Sequence, residues 1–108
     1  MIETTDASFE DDVLRSATTM LVEFTAPWCR PCKAIEPFLA DLERENEGRL
    51  AVVQLDIDVN LAIPARYGVL SLPTVILFSD GEPLEVIHGA QPRRRYAQAV
   101  ERALAEAP

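Results

Sequence analysis

Histidine occurs once and cysteine twice among the 108 residues, and glycine only four times. A closed structural zinc site takes four Cys or His ligands, and after Cys29 and Cys32 only His88 is left to supply one, so the ligand inventory excludes it. Long apolar runs are also missing. Val75 to Phe78 is among the longest, far below the roughly 20 residues that a membrane helix requires. Positive charge is scarce, with 10 Lys and Arg against 18 Asp and Glu for a net charge of −8, and Arg93-Arg94-Arg95 is the longest basic stretch. Nucleic acid and anionic membrane surfaces are therefore poor partners. The chain begins Met1-Ile2-Glu3-Thr4-Thr5-Asp6, acidic where a signal peptide carries a basic and then an apolar region, which sets the expectation of a cytoplasmic protein.

What is present is ordinary globular composition, 48% apolar. A chain of this length buries roughly two-thirds of its unfolded surface in one core, so a single domain over residues 1–108 is expected, without internal repeat or linker. Residues 7–17 predict a first helix with Ser8 as N-cap and Phe9, Val13 and Leu14 at helical spacing. Met20 to Thr25 reads as a buried strand, with Leu21, Glu23 and Thr25 on one side and Met20, Val22 and Phe24 on the other. From Cys32, Ile35, Phe38, Leu39 and Leu42 give the apolar stripe of a second helix, kinked at Pro37 and stopped near Gly48. Leu50 to Ile57 suits a strand covered on both faces of a parallel sheet, which completes a βαβ unit. Asn60 to Tyr67 predicts a short helix interrupted by Pro64. Thr74 to Ser79, Asp80-Gly81 and Leu84 to His88 predict an antiparallel hairpin, making the sheet mixed. Pro92 opens a last helix with Tyr96, Ala97, Val100 and Leu104 on one face.

Both cysteines lie in Trp28-Cys29-Arg30-Pro31-Cys32-Lys33, where the first buried strand turns into the second helix. A thiolate at a helix N-terminus faces unpaired N–H groups and the positive end of the helix dipole, which populates its nucleophilic form near neutral pH. This reading makes Cys29 the outer, reactive thiol and Cys32, in the first turn, the resolving thiol. A purely structural disulfide would not persist in a reducing compartment, and a loop this short would stabilise little. Redox chemistry is the reading that remains.

The segment Val22-Glu23-Phe24-Thr25-Ala26-Pro27-Trp28-Cys29-Arg30-Pro31-Cys32-Lys33 resembles the active-site segment of the thioredoxin family. Phe9, Pro37, Tyr67-Gly68, Leu72-Pro73-Thr74, Asp80-Gly81-Glu82 and Gly89 fall at similar spacings, so the likeness covers almost the whole chain. It implies an α/β thioredoxin-like fold, a mixed sheet of about five strands flanked by about four helices. It implies a protein-disulfide reductase that itself needs no cofactor or metal and is recycled by a flavin-containing, NADPH-dependent thioredoxin reductase. Substrate proteins such as ribonucleotide reductase, peroxiredoxins or methionine sulfoxide reductases would be its partners, and the monomer its form. Pro73, after Leu72, resembles the family's cis-proline. Trp28, Arg30, Pro31, Leu72, Pro73, Gly68 and the Gly89-Ala90 turn would border Cys29 as a docking platform.

Two residues depart from the familiar pattern. Arg30 replaces a glycine between the cysteines, and its charge should favour thiolate at Cys29 and make the disulfide a better oxidant. Glu23 stands where the family has a buried Asp that takes a proton from the resolving cysteine. A lone acid in an apolar strand should hold its proton unusually tightly and could relay it. The family's nearby lysine is replaced by Gln54. His88 reads as a strand residue away from the motif. The alternative function is a binding or chaperone module on the same fold, in which the dithiol is secondary. A reversed direction, as oxidase or isomerase, would show in the midpoint potential. Arg93-Arg94-Arg95 crowd like charge at a helix start, which suggests steering of an acidic partner surface.

Overall fold

In the computed structural model, which describes residues 1–106, β2 (Thr19–Thr25) is buried along almost its whole length and forms the centre of the sheet. Its neighbours are β3 (Leu50–Asp56), parallel, and β4 (Thr74–Ser79), antiparallel. β1 (Ile2–Glu3) adds in parallel outside β3, and β5 (Glu82–His88) pairs antiparallel with β4. Among the described residues the order is therefore β1-β3-β2-β4-β5, a mixed five-stranded sheet. Among the described residues three α-helices flank it, α1 (Arg30–Glu45), α2 (Ala62–Arg66) and α3 (Arg93–Glu106), with a π-helical turn at Glu10–Leu14.

The alternation of β2 sorts the core into two layers. Leu21 packs with Ile35, Leu39, Val52, Val75 and Tyr96 beneath α1 and α3. Met20, Val22 and Phe24 pack on the opposite face with Phe9, Val13, Leu55, Ile63 and Phe78. Phe9, Tyr67 and Phe78 meet there as a trio of rings with centroids 5.3 to 5.9 Å apart. Glu23 follows the same alternation and lies on the Leu21 face, which α1 covers.

The connections mostly follow their turn residues. Asp80 and Gly81 both have positive φ, 50° and 78°, as a two-residue hairpin turn between strands requires. Pro37 lies inside α1, and Pro64 falls in the first turns of α2, where its missing N–H costs little.

Two expectations, Ser8 as a cap and the extent of the first helix, need correction. Ser8 is not an N-cap: its hydroxyl accepts the Thr5 N–H at 3.0 Å, and the helix expected over residues 7–17 is reduced to the π-helical turn. The start of α2 is capped instead from a distance, by Asp6, whose carboxylate accepts the N–H groups of Ala62 and Ile63 at 3.0 Å each. β1 had no periodicity to announce it; two residues are too few to show alternation, and only pairing with Val53 and Gln54 makes them a strand. The arginine triplet is largely engaged, since Arg93 pairs with Glu45 at 2.7 Å and Arg95 with Glu85 at 2.6 Å. These ion pairs across elements offset the unfavourable helix-end position, while Arg94 makes no ion pair among the described residues.

Candidate active site

Cys29 terminates the turn after β2 and is itself the N-cap of α1, with extended backbone at φ −83° and ψ 103°. Its Sγ accepts the N–H of Cys32 at 3.2 Å, so the sulfur occupies the place of an ordinary capping oxygen. Pro31 fits the first turn of the helix because a residue there needs no N–H partner. The same turn brings Cys32 back under Cys29, with 5.3 Å between their Cα atoms, and the two are joined in a disulfide. Cys29 retains 3% exposure and Cys32 none, so the contrast between an outer and an inner sulfur is small in the oxidised state.

What surface Cys29 has opens into a groove of about 510 Å³. Trp28, Arg30 and Pro31 form one wall, and Ile57 with Val69 to Leu72 forms the other. Arg30 is the one charged side chain lining this groove. Trp28 is 66% exposed and Leu70 96%, large apolar surfaces left in water beside the disulfide. The indole N–H of Trp28 donates to both carboxylate oxygens of Asp58, at 3.2 and 3.0 Å, which holds the ring at the rim.

Leu72-Pro73 is a cis bond, and Leu72 lines the groove, whereas Pro73 is buried and does not line it, its carbonyl accepting the Gly89 N–H at 2.8 Å. Gly68 and Gly89 are not among the residues lining the groove, so the expected platform is brought together only in part. His88 lies exposed on β5 opposite Thr74. Ile57, Val69 and Leu70 were not foreseen. The pair Val69-Leu70, apolar in a loop between Gly68 and Pro73, was the available signal.

Glu23 is completely buried. Gln54, its partner in the β2–β3 register, donates from Nε2 to Oε1 at 2.9 Å, while Oε2 has no hydrogen-bond partner. Burial disfavours the charged form, and Glu23 is pushed up to about 8. The Gln54 hydrogen bond opposes this, the like charge of Glu36 reinforces it, and Lys33 opposes it. A carboxyl shifted this far can both hold and release a proton near neutral pH.

The arrangement is a helix-capping sulfur in a disulfide, set in an apolar groove, with a proton held in the strand that leads into it. Among the described residues no group of three or more His, Cys, Asp and Glu is placed to hold a metal ion, and no helix is long and apolar enough to cross a membrane.

Comparison with known proteins agrees along nearly the whole chain. The sequence model of the family described as Thioredoxin matches residues 1–102. A protein named thioredoxin from Staphylococcus saprophyticus is 38% identical over 104 residues, covering 96% of this chain and 98% of that one. Its namesake from a Synechocystis strain is 37% identical over 102 residues, covering 94% and 95%.

Proposed function

This chain belongs to the thioredoxin family and is a thiol-disulfide oxidoreductase that reduces protein disulfides, and we propose that Cys29 is its attacking thiol and Cys32 its resolving thiol. The observation that carries the assignment is the Cys32 N–H aimed at Cys29 Sγ from the first turn of α1. When the pair is reduced, that N–H and the helix dipole stabilise a thiolate on Cys29, and the groove admits a substrate sulfur only to that side. Cys29 thiolate bonds to one substrate sulfur; the substrate disulfide breaks and the other sulfur leaves as thiolate. Cys32 then loses its proton and bonds to Cys29 Sγ. The mixed disulfide breaks, and the second substrate thiolate leaves with the electron pair.

Glu23 is the proposed proton store for Cys32. Its ionised form takes the Cys32 proton as the resolving thiolate forms, and its protonated form returns one when the disulfide is reduced again. Its buried, unpartnered Oε2 and a proton affinity raised into the range where both forms are accessible near neutral pH support that role. Trp28, Arg30, Pro31 and Leu72 would contact the substrate chain in the groove, with Pro73 and Gly89 shaping the backbone behind Leu72. Electrons would come from an NADPH-dependent, flavin-containing thioredoxin reductase, and the working form would be a cytoplasmic monomer.

Reduction of insulin with dithiothreitol as electron source tests the activity. Rapid turnover abolished by Cys29→Ser is expected; a parent protein that reduces insulin no faster than dithiothreitol alone would favour the binding-module reading.

A further inference from the structure

A second cavity, of about 200 Å³ and with mainly polar walls, shares no lining residue with the substrate groove and includes Thr25, Ala26 and Pro27 of the turn that leads to Cys29. Lys33 and Glu36 of α1 line it, facing Gln54 and Asp56 of β3 and Glu3 of β1. Gln54 connects this cavity to the buried acid, because its amide both lines the wall and donates to Glu23. Glu36 follows Cys32 by four residues on α1 and so shares its helix face, while Lys33 lies three residues before Glu36.

We propose that Glu36 is a positioning residue for the reaction: from the polar cavity its negative charge holds the proton on Glu23, and Lys33 in the preceding turn opposes it. The inference rests on the reading of Glu23 as the proton store and adds the group that sets when the store is full.

The charges around Glu23 leave Glu36 as its principal charged ally. On β3, Gln54 is neutral and stabilises the ionised form through its hydrogen bond. On α1, Lys33 favours the ionised form and Glu36 the protonated one. On α3, Tyr96 is within electrostatic reach, but its hydroxyl is engaged with the Gly89 carbonyl and the Gln91 N–H. Asp56 and Glu3 also line the cavity but are not among the charges that act on Glu23. A carboxylate that repels charge from a buried neighbour acts through low-dielectric protein and is screened less than a surface pair.

The test uses the intact protein. The Glu23 side-chain carboxyl is titrated by carbon NMR, and the rate at which dithiothreitol reduces the disulfide is followed across the same pH range. Glu36→Gln should move the Glu23 midpoint and the matching inflection of the rate profile down by about one pH unit. Lys33→Gln should move both up, and Glu36→Asp should keep most of the parent profile. A structural role for Glu36 would not produce shifts of opposite sign at adjacent turns of one helix. If Glu36→Gln leaves the Glu23 midpoint in place, the inference is overturned. Should Glu23→Gln leave the rate profile unchanged, the proton-store reading fails instead, and the NMR titration still decides whether Glu36 controls the protonation of Glu23.

Discussion

The backbone N–H of Cys32 points at Cys29 Sγ across 3.2 Å, so the two cysteines are related as a helix cap and the third residue of the helix it caps. The relation is asymmetric. Only the capping sulfur receives the N–H and faces the groove; the other is sealed beneath it.

From this asymmetry, Cys32→Ser should still attack substrates and accumulate mixed disulfides, while Cys29→Ser should form none. Nonreducing gels of each variant mixed with a disulfide substrate check the outcome. Trapping by Cys29→Ser alone would reverse the two roles.

Arg30 lines the groove next to Cys29 as its one charged wall residue. Removing it in Arg30→Gly should shift the pH dependence of Cys29 alkylation upward and make the redox potential more negative, because a nearby cation favours thiolate and so the reduced form. Equilibration with glutathione measures the second. An alkylation profile that stays in place would leave Arg30 as a substrate contact only.

Glu23 gives the folded protein a definite pH dependence. Its folded value, about 8, lies above the ordinary 4.5, so the folded chain binds a proton that the unfolded chain releases. The associated stability is fully present below about pH 4.5 and is lost as the pH rises through about 8. Urea unfolding should therefore show oxidised protein weakening by a few kcal/mol across that window. Glu23→Gln keeps the side-chain volume and should flatten the dependence, becoming the more stable form under alkaline conditions. A parallel slope in the variant would assign the loss to other groups.

Gly81 is confined by space as well as by conformation. With φ at 78°, a Cβ there would stand 2.8 Å from the carbonyl oxygen of Leu14. Gly81→Ala should destabilise the fold by about 2 kcal/mol or more, since both the left-handed backbone and the close approach of the π-helical turn resist a side chain. Thermal unfolding followed by circular dichroism would show it; an unchanged melting temperature would mean that the hairpin and the turn separate readily.

The chemistry was legible from the chain alone because it is local. Cys29, Arg30, Pro31 and Cys32 are neighbours, and a strand that runs into a helix start determines the environment of the first sulfur whatever surrounds it. The two faces of β2 were legible for the same reason: alternation assigns Glu23 to the side of Leu21 before any packing is known. The Asp80-Gly81 hairpin is likewise a property of its own two residues. What lay beyond the sequence are the relations between residues far apart along it. No local signal pairs Trp28 with Asp58, caps α2 with Asp6, or neutralises Arg93 with Glu45 and Arg95 with Glu85. The opposite wall of the groove comes from Ile57 and Val69 to Leu72, which meet the motif only when β3 and the loop before β4 fold against the start of α1. Local periodicity specifies which way a side chain faces; only the closed sheet, with its parallel and antiparallel registers, decides what it faces, and that is why the proton on Glu23 and its neighbours Gln54, Glu36 and Lys33 belong to the tertiary structure.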